Sequence, residues 1–107
     1  MEFKQLIERA KEIKQVNAML AENEGSKAWG LAERMQGFVG DVGDLAKLVM
    51  AQNGYRKYEN LDKRLAHELG DCLWSLIIIA DEAGINLEEA FTQTMKEIEL
   101  RLDTKNA

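Results

Sequence analysis

Apolar residues recur at helical spacing from the start of the chain. Phe3, Leu6, Ile7, Ala10, Ile13, Val16 and Leu20 fall three or four apart, on one face of a 3.6-residue helix. The spacing predicts a first helix over about residues 2–21, ended by the polar stretch Glu22-Asn23-Glu24-Gly25. Ser26 is placed as the N-cap of a second helix over about residues 27–53, and Gly54 as the left-handed residue that closes it. Residues 55–59 read as a polar and aromatic loop. Asn60 caps a third helix over about residues 61–83, closed by Gly84 with Ile85 as the apolar follower. Asn86 and Glu89 have capping-box spacing for a fourth helix over about residues 87–102, with a frayed tail at 103–107.

The third helix changes the picture. Leu65, Leu69, Cys72, Leu73, Leu76, Ile77, Ile79 and Ala80 cover well over the roughly 100° of arc that a surface helix needs, and Trp74 and Ile78 widen it. Only the line of Glu68, Asp71, Ser75 and Glu82 is polar. Three other short helices can hardly cover such a surface, so a homo-oligomer is expected.

Composition narrows the class. The 107 residues contain no proline and are rich in good helix formers, so the expectation is one all-α domain spanning 1–107. A net charge of −5 disfavours polymeric nucleic acid, whose binding depends on phosphate neutralisation by Lys and Arg. A small anionic substrate fits if a metal bridges the charges. Cys72 is alone and permits no internal disulfide. The first residues lack a signal-peptide core, and the apolar run at 72–80 is too short to span a bilayer. The expected location is the cytoplasm, away from membranes.

Two acidic pairs carry candidate chemistry. Asp41 and Asp44 lie in the second helix, Glu68 and Asp71 in the third, each pair at i, i+3 and so on one face. Apolar residues flank both pairs, which suggests a partly buried acidic cleft. A hard cation with oxygen ligands would relieve the repulsion, and Mg²⁺ favours a few carboxylates together with substrate phosphates. The alternative is a set of solvated surface carboxylates. Gly37, Gly40, Gly43 and Gly70 stand beside these acids inside helices, where each costs about 0.5–1 kcal/mol relative to Ala. They mark close helix packing or clearance for a substrate.

Gly40-Asp41-Val42-Gly43-Asp44-Leu45 followed by Glu68-Leu69-Gly70-Asp71 resembles the metal-binding signature of MazG-like nucleotide pyrophosphohydrolases. That pattern is two adjacent glutamates, a third three residues on, then Glu-x-x-Asp on the next helix. The continuation over 73–87 and Trp29 ahead of the first pair also look like the family, so the resemblance spans roughly 29–91. It implies the all-alpha NTP pyrophosphatase type of fold: a four-helix bundle-like subunit assembled as a dimer or tetramer. It also implies Mg²⁺-dependent hydrolysis of a (deoxy)nucleoside triphosphate to monophosphate and pyrophosphate, in the manner of nucleotide-pool house-cleaning. Mn²⁺ could stand in for Mg²⁺. The implied catalytic and metal-binding residues are Asp41, Asp44, Glu68 and Asp71.

The departures are specific. Gly40 stands in the place of the first family glutamate, and Asp41 and Asp44 replace longer glutamates. Thr94 and Ile98 fall where the family often has Lys and Asn, with Lys96 nearby. Candidate substrate residues are Trp29, Arg34 and Asp81. Trp29 would stack on a base or fill the core. Arg34, two turns before Asp41, would meet a phosphate or lie on the surface. Lys47, Arg56, Lys57, Lys63 and Arg64 would shield phosphates at the cleft mouth or be solvated. His67 is expected to point elsewhere on its helix, and Cys72 to be a small core residue. Two other readings stay open: phosphoribosyl-ATP pyrophosphohydrolase, and a non-catalytic helical oligomer on the same scaffold.

Overall fold

The computed structural model describes residues 1–55 and 57–106. These form four helices: α1 (Phe3–Asn23), α2 (Leu31–Gln52), α3 (Leu61–Glu82) and α4 (Leu87–Asn106). About four-fifths of the chain is helical, with no strand among the described residues, as an all-α fold requires.

The helix ends show why the chain divides where it does. In α1 the Glu2 backbone N–H donates to Gln5 Oε1 at 2.8 Å. In α4 the Glu89 N–H donates to Asn86 Oδ1 at 3.1 Å. Gly54 and Gly84 take φ of 87° and 71°, the left-handed region that glycine enters without steric cost. The following residues close the ends: Tyr55 N–H donates to Met50 O at 3.0 Å, and Ile85 N–H to Ala80 O at 2.9 Å.

Two boundaries and one cap differ from expectation. Ser26 does not cap α2. Its N–H donates to Ala21 O at 2.7 Å and closes α1 instead. α2 therefore starts at Leu31 behind an extended Gly30. The residues ahead of it lay the Trp29 indole back on α2, where a Cβ at Gly37 would lie 2.8 Å from Trp29 Cζ3. Gly37 thus clears an aromatic ring of its own chain. Asn60 does precede α3, but it takes a left-handed φ of 55° and makes no side-chain cap bond. α4 runs on to Asn106, past the expected end near 102, since no glycine or proline interrupts it.

α2 and α3 form the most extensively packed pair. α1 lies on α3, and α4 touches α3 least. Ala10, Ile77 and Ile78 make the core cluster, with Phe3, Ile7, Trp74 and Leu87 against it. Lys14 of α1 clamps the end of α3, 2.9 Å from Asp81 Oδ2 and 2.7 Å from Glu82 Oε1. Burial works to lower the Lys14 pKa, but its bonds to Glu82 and Asp81 outweigh that and raise it.

The subunit is open rather than closed. Its radius of gyration is 17.3 Å, against about 13 Å for a compact chain near this length. Large apolar residues remain exposed at helical spacing: Met35, Val39, Val42 and Val49 on α2; Leu69, Leu73 and Leu76 on α3; Phe91, Met95, Ile98 and Leu102 on α4. No helix among the described residues is long and apolar enough to cross a membrane.

Candidate metal centre

The paired α2 and α3 bring the two acidic pairs together around Glu68. One carboxylate oxygen each from Asp41, Asp44 and Glu68 lies within 4.8 Å of the others. A second constellation, His67, Glu68 and Asp71, meets the same 4.8 Å limit. Glu68 belongs to both, so the other three acids surround its side chain rather than forming a single tight set with it. Ser75 Oγ–H donates to Asp41 Oδ2 at 3.2 Å and fixes that carboxylate from across the hairpin. His67 Nε2 lies 3.2 Å from Asp71 Oδ2.

Glu68 is the least compensated of the four acids. Its Oε2 is buried and has no hydrogen-bond partner. Burial, and then the charges of Asp71, Asp44 and Asp41, raise its pKa above the ordinary carboxylate value. A buried, unpartnered carboxylate oxygen among three further carboxylates fits a divalent cation. An all-oxygen donor set suits a hard one. Cys72 is a free buried thiol, its pKa raised by burial and then by Asp41, Glu68 and Asp71.

The cleft has two flanks. Toward the start of α2, Arg34 is buried between two indoles, its guanidinium carbon 5.1 Å from the Trp74 ring centre and 5.8 Å from that of Trp29. Arg34 Nε and Trp74 Nε1 are buried without partners. Arg34 is thus neither a surface arginine nor one free at the cleft mouth, and Trp29 is half-exposed rather than a core tryptophan. Toward the α2–α3 loop lies a pocket of about 620 Å³ lined by Asp44, Lys47, Tyr58, Lys63, Arg64, His67 and Glu68, among others. Arg56 lies outside the described residues.

Other expectations sort clearly. Asp81 lies thirteen residues past Glu68 along α3, about 20 Å at 1.5 Å per residue, and is paired to Lys14 and Lys11 rather than set in this cleft. A Cβ added at Gly40, Gly43 or Gly70 would meet nothing within 4 Å, so none of the three is required by close α2–α3 packing. Sequence reasoning missed Trp74, Ser75 and His67 as site neighbours. Of these only His67 meets Asp71, four residues on along α3; Ser75 reaches Asp41 and Trp74 reaches Arg34, partners on α2 that spacing along α3 does not encode.

The fold and cleft define a class: an all-α protein whose two central helices present converging carboxylates to a common space. The model of the MazG nucleotide pyrophosphohydrolase domain matches residues 31–104. The chain belongs to that family, whose enzymes are typically dependent on divalent metals. Membership supports a nucleotide pyrophosphohydrolase acting on a small-molecule nucleotide. No curated protein and no solved structure matches the chain.

Proposed function

We propose that the protein is one domain that hydrolyses a (deoxy)nucleoside triphosphate to its monophosphate and pyrophosphate. Asp41, Asp44, Glu68 and Asp71 are the metal-binding and catalytic residues, with Mg²⁺ the preferred ion and Mn²⁺ its substitute. The observation that carries this reading is the buried, unpartnered Glu68 Oε2 with three more acids around it. When bound, the cation would neutralise phosphate oxygens, favour ionisation of the attacking water and offset charge on the departing pyrophosphate. Asp41 is held in place by Ser75, and Asp71 by His67. Trp29 and the Arg34–Trp74 pair form the flank for the nucleoside, where an indole face can take a base. Asp81 has no part in this reading.

The reading includes a homo-oligomer, dimer or tetramer. The exposed apolar stripes of α2, α3 and α4 support it, because a lone subunit leaves them in water. The free thiol of Cys72 supports a reducing compartment such as the cytoplasm. Clearance of unwanted nucleotides is the role that fits a small soluble enzyme of this kind.

The deciding experiment is a turnover panel with Mg²⁺: ribo- and deoxynucleoside triphosphates, with phosphoribosyl-ATP included. Release of pyrophosphate from a triphosphate supports the proposal, and preference for phosphoribosyl-ATP replaces it with that reading. One observation favours a non-catalytic protein, namely Gly40 in the place of a family glutamate. A wholly silent panel would decide for it.

A further inference from the structure

We infer that His67, Glu68 and Asp71 form a second cation site, which takes a divalent transition ion with an affinity for imidazole nitrogen. It stands beside the all-carboxylate set of Asp41, Asp44 and Glu68 and shares Glu68 with it. The inference rests on the reading of the cleft as a metal centre.

The three residues stand at i, i+1 and i+4 of α3. At about 100° per residue they fall within about 100° of arc, so all three face one way. One imidazole nitrogen and one oxygen from each acid lie within 4.8 Å of one another. His67 Nε2 is 3.2 Å from Asp71 Oδ2. Donors bound at about 2.0–2.2 Å to a shared ion stand about 3–4 Å apart, so side-chain rotation alone closes the set. His67 also lines the α2–α3 pocket with Asp44 and Glu68, and so opens into the same space as two acids of the first set. Its imidazole is exposed and Asp71 half-exposed, which gives an ion a way in from water.

Such spacing arises on many helices; what singles this one out is Glu68. Its Oε2 is buried and unpartnered, and it is common to both sets. A carboxylate has two oxygens and can serve an ion on each side. The charge count asks for both ions. Asp41, Asp44, Glu68 and Asp71 bring four negative charges when ionised, and among the described residues their one basic partner within 4.0 Å is His67. One divalent ion in the first set leaves two of those charges unanswered, and a second ion answers them. The donors set the kind of ion. Asp41 and Asp44 offer oxygen alone, which suits hard Mg²⁺. His67 adds nitrogen, which favours Co²⁺, Ni²⁺ or Zn²⁺ over Mg²⁺.

The test is calorimetric titration of Co²⁺ into the full, untagged protein with Mg²⁺ in excess, followed by proton NMR of the Co²⁺-loaded protein. The chain has one histidine, so a paramagnetically shifted imidazole N–H resonance belongs to His67. Wild type should bind Co²⁺ and show that resonance. His67→Ala should lose the resonance and weaken Co²⁺ binding at least about tenfold, since removing even the groups behind a metal ligand costs about 10–100-fold. Its affinity for Mg²⁺ should stay within about twofold of wild type, because the all-oxygen set is intact. Cys72→Ala, which removes the free thiol, should bind Co²⁺ as wild type does. Absence of Co²⁺ binding, equal binding by His67→Ala, or a loss confined to Cys72→Ala overturns the inference. The two claims fail separately. Co²⁺ binding that depends on His67 in a protein that hydrolyses no nucleotide keeps the second site and removes the hydrolytic reading. Turnover with Mg²⁺ in a protein whose Co²⁺ binding ignores His67 does the reverse.

Discussion

The α2–α3 hairpin and α4 use similar helix-forming residues but differ in what covers them. The hairpin buries Arg34, Leu48, Ala51, Cys72 and Ser75, and it holds the acids in register. Among its described residues α4 buries no side chain, and its apolar line opens to solvent, with Phe91 60% exposed. The difference teaches where rigidity is needed. Carboxylates that share a cation must be held to fractions of an ångström, and paired helices do that better than one resting on a single neighbour.

The largest expected effect breaks the hairpin's chemistry and spares its fold. Glu68→Ala removes the acid common to both constellations and should cut turnover on the order of 10³-fold, with helical circular dichroism unchanged. Residual activity near wild type would take Glu68 out of the site. The next breaks α4 and spares the hairpin. Phe91→Lys with Met95→Lys should shift sedimentation from an oligomer toward a 12.1 kDa monomer and lower Tm by at least about 5 °C. A wild-type protein that already sediments as a compact monomer would sink the oligomer.

Two finer changes sharpen the comparison inside the hairpin. Asp44→Glu restores the family residue but adds a methylene where three carboxylates already converge within 4.8 Å. It should lower kcat/KM about tenfold, because Mg²⁺ demands near-ideal octahedral geometry. A value at or above wild type would show that the aspartates are tolerated drift. The smallest effect concerns the metal-free protein. Glu68 has a pKa raised above 4.5 in the folded state, so the unfolded chain ionises first as pH rises. Stability should be highest below about pH 4.5 for this group, fall as pH climbs through the folded-state value, and stay lowered above it. Glu68→Gln should flatten that fall in thermal melts with chelator present, and an unchanged pH profile would contradict it.

Helix number and most helix ends were legible because glycines, a missing proline and the 3.6-residue period are local signals. So were the two acidic pairs, since i, i+3 spacing fixes a shared face. What escaped was cross-chain. Ser26 reads as an N-cap, yet its N–H completes the end of α1. Gly37 reads as room for another helix, yet an indole eight residues earlier fills that room. Arg34 reads as a surface or phosphate residue, and only the arrival of Trp74 from α3 makes it a buried cation. Asp81 matched a family stretch, but two lysines of α1 claim it. Each of these contacts depends on which side chain comes back in space, and spacing along one helix does not encode that.

The central claim is that the acids around Glu68 direct water to the α phosphate of a nucleoside triphosphate. Hydrolysis in ¹⁸O-labelled water with Mg²⁺ tests it most directly. The account predicts one labelled oxygen in the nucleoside monophosphate, unlabelled pyrophosphate, and loss of both products in Glu68→Ala. Label in the pyrophosphate, release of orthophosphate instead, or undiminished products from Glu68→Ala would contradict it.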